Sequence, residues 1–291
     1  MIDGWLIINA FLNAEKFSQL YDWLVLAGSS LGVRLKVKTN SELMIELQDD
    51  SMEMGHPAFA IFWDKDIRLA ELLEQRGLRL FNCARAIELC DDKSKTYTSL
   101  FAAGLPLPRT MIVPMTYNNV GYTSYEFLYS AVTQIGLPLI AKEAIGSFGQ
   151  QVNLIDNVDD LRTWLEKHAG ESLLLQQYVE AAAGSDLRLQ VVGDEVIGAM
   201  RRTAAIGDFR ANLTLGGSMQ KWIPDKKQTD VAVAACKVLG LDFAGVDLLL
   251  DADDKPLICE VNSNAHFKTL FDCTGVDTAD AIIKYIIRCI K

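Results

Sequence analysis

The chain has 291 residues, half of them hydrophobic, which is enough apolar material for a large core and, on length alone, for two domains. A formal net charge of −10 argues against nucleic-acid or anionic-membrane partners, because phosphate-rich surfaces call for a basic face; it does not exclude a local basic pocket. Six cysteines (Cys83, Cys90, Cys236, Cys259, Cys273, Cys289) show neither CxxC nor Cys/His ligand spacing, no apolar run reaches membrane-spanning length, and no basic region precedes the short apolar stretch at the N-terminus, so the expectation is a cytoplasmic protein with reduced thiols.

In chain order, residues 5–8 read as a buried strand. Residues 14–31 read as a helix with Phe17, Leu20, Tyr21, Leu24 and Val25 at helical spacing, its end marked by Gly28 and Gly32. Strands follow at 33–37 and 59–63, then a helix at 66–76 stopped by Gly77 and a return to strand at 78–81. Strands alternating with helices predict a parallel, doubly wound α/β domain over residues 1–90. No GxGxxG follows its first strand, so it is not read as a dinucleotide binder; it is expected to form one wall of a cleft.

Further on, helices are expected at 91–103, at 124–134 with Ser124 as N-cap, at 159–168, at 229–239 and at 278–290. Strands are expected at 137–143, 151–155 and 173–179, with hairpins formed by 186–192 and 196–200 and by 246–250 and 257–262. The last hairpin would bring Asp247 beside Glu260. Side chains two apart in a strand share a face, so Glu260 and Asn262 point the same way. Asp, Glu and Asn offer the hard oxygen ligands that Mg²⁺ takes, with waters and phosphates completing its shell. An ordinary hairpin with a polar mouth is the alternative for the pair taken alone.

Other residues suit anions. Lys142 stands at a strand end, four residues before Gly146-Ser147-Phe148-Gly149, where glycines and a small hydroxyl residue let backbone N–H groups approach a phosphate. The spacing is not that of a P-loop. Lys93 heads a helix after two aspartates. Arg201, Arg202, Arg210 and Asn212 bracket a glycine-bearing loop, and arginine recognises carboxylate and phosphate with a bidentate fork. There is no GxSxG, and His56, His168 and His266 have no metal-ligand spacing.

Taken in this order, the pieces resemble an ATP-grasp ligase, specifically the RimK-like branch of ribosomal-protein and related glutamate ligases. The resemblance runs from about Lys93 to the C-terminus, two-thirds of the chain. Asp92-Lys93 and Lys142 resemble the two nucleotide lysines, and Gly146–Gly149 with Ser147 the glycine-rich flap. Gln176-Gln177-Tyr178-Val179 resembles the adenine hinge, Asp186-Leu187-Arg188 the ribose-side motif, and Arg202, Asp208-Phe209-Arg210-Ala211-Asn212 and Gly216-Gly217 the DFRxN…GG segment.

The fold implied is α/β: an ATP-grasp domain over 91–291, with a lid subdomain at about 105–180 and a C-terminal subdomain at about 181–291, behind a pre-ATP-grasp domain at 1–90. The cofactors implied are ATP and Mg²⁺, with Mn²⁺ as a substitute. Asp247, Glu260 and Asn262 would hold the metal, and Lys93 and Lys142 would neutralise the phosphates. Arg202 would stabilise the transferring phosphoryl group and the tetrahedral intermediate, and Asn212 would help place the triphosphate or the metal. The activity implied is ADP-forming carboxylate–amine ligation through an acyl phosphate, adding glutamate or another amino acid to an amino-acid, peptide or protein acceptor, with homodimers or homotetramers as expected assemblies. An ATP-binding regulatory protein that keeps the fold without turnover is the alternative.

The sequence also departs from the family pattern. Gln177 stands where a glutamate is usual, Thr214-Leu215 replaces a His-Arg pair, and residues 263–268 differ from the Ser-Pro-Gly form.

Overall fold

A computed structural model describes residues 1–12, 15–47, 57–146, 151–205, 207–211 and 216–291; Ser147, Phe148, Gly149, Asn212, Thr214 and Leu215 lie outside them. Near the N-terminus, β1 (Ile2–Ile8), β2 (Val33–Thr39), β3 (Phe59–Trp63) and β4 (Leu80–Phe81) form a parallel sheet in the order β2-β1-β3-β4. Helix α1 (Glu15–Ser30) and the C-terminal helix α9 (Thr278–Ile290) cover one face, where Leu20, Leu24, Ile282 and Ile283 meet Leu6 and Ile61. Helix α2 (Ile67–Gln75) covers the other, packing Leu69 and Leu73 on Trp5, Ile7 and Phe62. Cover on both faces is why β3 reads as an unbroken apolar run, all five residues buried.

Two glycines behave differently from each other. Gly32, at φ +78°, lies just past the end of α1, whereas Gly28 lies inside it. A Cβ at Gly28 would sit 3.2 Å from the Val33 carbonyl oxygen and 3.3 Å from Leu35, so this glycine serves close approach of the helix to β2 rather than termination.

The helix expected at 91–103 begins at Lys93, and a further helix that was not expected precedes it. α3 (Ala84–Asp91) ends at Asp92, whose carboxylate accepts from Ser94 N at 2.8 Å and Lys95 N at 3.3 Å and so starts α4 (Lys93–Ala102) in a new direction. Beyond it, β5 (Thr110–Ile112), β6 (Leu139–Glu143), β7 (Val152–Ile155) and β8 (Leu173–Gln177) form an antiparallel sheet ordered β5-β8-β6-β7. Helices α5 (Glu126–Ile135) and α6 (Val158–Lys167) pack on it through Leu128, Ala131, Leu161 and Leu165. The N-cap of α5 is Tyr125 rather than Ser124, because the helix begins at Glu126; the Ser124 hydroxyl still accepts from Glu126 N at 3.4 Å.

The third sheet runs β11-β10-β9-β12-β13, from β9 (Ser185–Val192), β10 (Glu195–Thr203), β11 (Ser218–Lys221), β12 (Phe243–Leu250) and β13 (Pro256–Asn262). Helix α7 (Lys226–Leu239) covers it, its start fixed three residues earlier than expected by a capping box between Asp225 and Gln228. A short helix, α8 (Lys268–Thr274), follows β13.

Asn82 binds the first sheet to the third. Buried directly after β4, it donates to the carbonyls of Phe243 (2.9 Å) and Ser263 (3.0 Å) and accepts from Asp242 N (2.7 Å) and Phe243 N (3.2 Å). Within β13, Glu260 pairs with Asp247 but Ile258 pairs with Leu248, so Cys259 is the extra residue of a β-bulge. Among the described residues, no helix is long and apolar enough to cross a membrane.

Candidate active site

The site lies where the β5-β8-β6-β7 sheet, the N-terminus of α4 and the third sheet meet. Lys93, on the first turn of α4, donates from Nζ to the Gly146 carbonyl at 2.8 Å and stands 3.6 Å from Glu260 Oε1. Its backbone N–H bonds to Ala144 O at 2.9 Å, tying the helix start to the end of β6. Tyr97, one turn along, shares that face.

Lys142 on β6 is buried. Its ammonium donates to Tyr97 Oη at 2.8 Å and Gln176 Oε1 at 2.9 Å, and lies 4.7 Å from the Tyr97 ring centroid. Burial pulls its pKa below that of an ordinary lysine, against the pull of Cys259 and Glu260. The Tyr97 hydroxyl in turn donates to the Cys259 carbonyl, and burial holds this phenol well above its usual pKa. Gln176 Nε2 reaches Thr110 Oγ1 at 2.8 Å. A continuous polar chain therefore runs from β13 through α4 to β6, β8 and β5.

The carboxylates are set by strand register. Asp247 on β12 lies between Arg188 on β9 and Glu260 on β13, and Arg202 on β10 lies opposite Asp186 on β9. Arg188 grips Asp247 with two donors, its Nη2 at 2.7 Å from Oδ2. Arg202 holds Asp186 through Nε (2.7 Å) and Nη2 (2.5 Å) and reaches Asp247 Oδ2 at 2.9 Å. Burial would raise Asp247, but Arg188 and Arg202 outweigh it and hold its carboxyl below the usual range. Asp186 is pushed up to about 6 by burial, which with Asp247 nearby outweighs the pull of Arg202.

Asn262 pairs with Gly245, and its Nδ2 is buried without a hydrogen-bond partner. A Cβ at Gly245 would lie 2.6 Å from Ala265 Cβ and 3.1 Å from Arg188 Cδ, so only glycine lets β12 pack this closely against Ala265 with Arg188 alongside. Among the described residues, no group of three or more His, Cys, Asp and Glu is placed to hold a metal ion on its own. The donor set at the mouth of the hairpin is two carboxylates and one amide. The two carboxylates and the Asn262 amide oxygen are the hard donors that Mg²⁺ takes, and the unpartnered Asn262 Nδ2, a hydrogen-bond donor, suits a phosphate oxygen beside that ion.

The remaining expected residues sit as follows. Gln177 accepts at Oε1 from Arg109 N and Nε, both at 3.4 Å, and its own N–H donates to Arg109 O at 2.8 Å. Tyr178 meets Phe209 edge-on at 6.4 Å, Val179 precedes a 3₁₀ turn, and Arg210 is 3.1 Å from Asp208. Ser147 and Asn212 are outside the described residues. Sequence reasoning missed Tyr97 and Asn82; the four-residue spacing from Lys93 is the signal that would have found Tyr97.

The RimK-like ATP-grasp domain family matches residues 90–286. The chain is 31% identical over 227 residues to beta-citrylglutamate synthase B of Danio rerio, a match covering 77% of this chain and 54% of that protein. It is 30% identical over 221 residues to the glutamate–LysW ligase ArgX of Sulfolobus acidocaldarius, covering 74% and 75% respectively. In fold it is similar to the ATP-grasp ligase PsnB, solved with a phosphomimetic variant of its minimal precursor, Mg and ADP: TM-score 0.72 at 18% identity, over 100% of this chain and 99% of that one.

Proposed function

The chain belongs to the RimK-like ATP-grasp family, and from that premise we propose that it is an ADP-forming carboxylate–amine ligase. One observation carries the reading. Lys93, Lys142, Arg188 and Arg202 converge with Asp186, Asp247, Glu260 and the unpartnered amide of Asn262, and the array contains no activated nucleophile. Such a site suits phosphoryl transfer, which needs positioning and charge neutralisation more than covalent help from the protein.

The substrate carboxylate attacks the γ-phosphorus of ATP, giving an acyl phosphate and ADP. An amine then adds to the acyl carbon, and the tetrahedral intermediate expels phosphate to leave an amide. Lys93 and Lys142 bind the α- and β-phosphates, and Arg202 faces the transferring phosphoryl group and the oxyanion. Asp247, Glu260 and Asn262 would hold Mg²⁺, which when bound neutralises β- and γ-oxygens; Mn²⁺ is proposed as a substitute. Gln176, Gln177, Tyr178 and Val179 line the adenine side, Asp186 and Arg188 the ribose side, and Arg210 and Asn212 the triphosphate. The flap with Ser147, in a lid taken as about 105–180, excludes water from the acyl phosphate.

The proposed acceptor is an amino acid, peptide or protein. The assembly is proposed as a homodimer or homotetramer, and the location as the cytoplasm. ADP release on a panel of amino acids and peptides tests the reading: Glu260→Ala should abolish turnover, and turnover that survives would remove the metal assignment. Tight ATP binding with no turnover on any acceptor would favour a regulatory role instead.

A further inference from the structure

We propose that the crevice between the carboxyl ends of β1 and β3 is a subsite for a protonated amino group of the substrate, held by Asp64 and Asn264; the proposal rests on the ligase reading and names the substrate's chemistry. In the order β2-β1-β3-β4 the chain leaves β1 toward one edge and β3 toward the other, so the winding reverses between these two strands. In open parallel sheets that reversal opens a crevice beyond the strand ends, where ligands bind. The residues directly beyond β1 and β3 are Asn9 and Asp64.

Asp64 is only 6% exposed, yet among the described residues no cation stands within ion-pair distance of it. Its carboxylate accepts from Lys65 N at 2.7 Å and from Asn9 Nδ2 at 3.2 and 3.3 Å, all neutral donors. The neighbouring Lys65 ammonium is paired with Asp91 instead. A carboxylate buried without a cation is costly, and burial raises the Asp64 pKa accordingly.

A second observation points to the same ligand. Asn264 donates from Nδ2 to the Asp64 carbonyl at 3.0 Å, and its Oδ1 is buried with no partner. A carboxylate and an amide oxygen, both lacking a charged donor, match the three N–H bonds of an ammonium and would repel an anion. Asn264 follows Asn262 by two residues, which places this subsite at the end of the strand assigned to the metal.

An ammonium held in this way has no lone pair to attack an acyl phosphate, so it is not the reacting nitrogen. The substrate then carries a free, charged amino group in addition to the group that reacts. An unblocked amino acid or peptide meets that requirement, and its N-acetyl derivative does not.

The test is isothermal titration calorimetry and thermal shift on the full chain with Mg²⁺ and AMP-PNP, using the twenty proteinogenic amino acids and their N-acetyl forms as probes. At least one free amino acid should bind the wild type, its N-acetyl form at least tenfold more weakly. Asp64→Asn should lose at least tenfold for the free form while AMP-PNP binding is unchanged. Asn264→Ala, which removes the second acceptor, should weaken the same compound severalfold and stands in if Asp64→Asn does not fold. Equal binding of free and N-acetyl forms, undiminished binding by either variant, or no free amino acid bound by a protein that binds AMP-PNP would overturn the subsite. Absence of AMP-PNP binding would instead count against the ligase reading.

Discussion

Tyr97→Phe isolates the link between Lys142 on β6 and the Cys259 carbonyl on β13. The change removes one hydroxyl that accepts from Lys142 Nζ at 2.8 Å and donates to the Cys259 carbonyl. A hydrogen bond to a charged group contributes about 1.5–3 kcal/mol. Lys142 keeps Gln176 Oε1 at 2.9 Å and the aromatic face at 4.7 Å, so the lower half of that range applies. At about 1.4 kcal/mol per tenfold, AMP-PNP·Mg should bind roughly 12- to 40-fold more weakly. Global stability should fall by about 1–2 kcal/mol from the orphaned carbonyl. Calorimetry measures the first and urea titration the second. Leu100→Ala, a fully buried change on the same helix, is the control: it should cost about 2–5 kcal/mol of stability and leave the nucleotide Kd alone. An AMP-PNP Kd within twofold of wild type for Tyr97→Phe would refute the assignment of Lys142 as a nucleotide ligand held in place by this phenol.

Asn82→Ala deletes four hydrogen bonds from a buried junction and should destabilise the protein by about 3–5 kcal/mol, read by urea denaturation; a loss under 1 kcal/mol would show that the two sheets hold together without it. Gly245→Ala should displace Arg188 from Asp247 and cost about 1–3 kcal/mol, together with a raised Mg²⁺ requirement in ADP release; wild-type Mg²⁺ dependence would contradict the packing argument. Burial raises the Asp64 pKa above its ordinary 3.8, so the native state holds more protons than the unfolded chain between that value and the higher folded one. Stability therefore falls as pH rises through this window. Asp64→Asn should remove that part of the slope in urea titrations from about pH 4 to 7, and an identical slope would mean that Asp64 titrates normally.

What the sequence disclosed depended on periodicity. The face shared by Glu260 and Asn262 and the pairing of Asp247 with Glu260 followed from strand alternation and one turn, and both are present. Helix α3 was missed because it is only eight residues long and its N-cap, Cys83, makes no side-chain cap hydrogen bond, whereas α4 was legible from Asp92, which caps it. Strand β11 was missed because Ser218–Lys221 is an exposed edge strand without apolar alternation. The clasp of Arg188 and Arg202 on Asp247 depends on register among three strands far apart in the chain, which no local pattern encodes. For the same reason Tyr97 and Asn82 look ordinary in the sequence: each acts through partners more than 40 residues away.

The bulge at Cys259 has a consequence for how this hairpin tolerates change. Ile258 and Val261 are three apart, which in a regular strand would put them on opposite faces, yet both lie in the same apolar cluster against α7. The extra residue resets the alternation, so the orientation of Glu260 and Asn262 is decided downstream of it. Lengthening the exposed turn at 251–255 should leave both side chains aimed as they are. Loss of Cys259 alone would leave Ile258 and Val261 two apart, the regular spacing for one face, and would keep Glu260 directed at the site, whereas loss of Val261 would put Glu260 and Asn262 on opposite faces. Single-residue deletions should therefore be tolerated better in the turn and at Cys259 than between Glu260 and Asn262, an asymmetry that a library of such variants scored for ADP release would reveal.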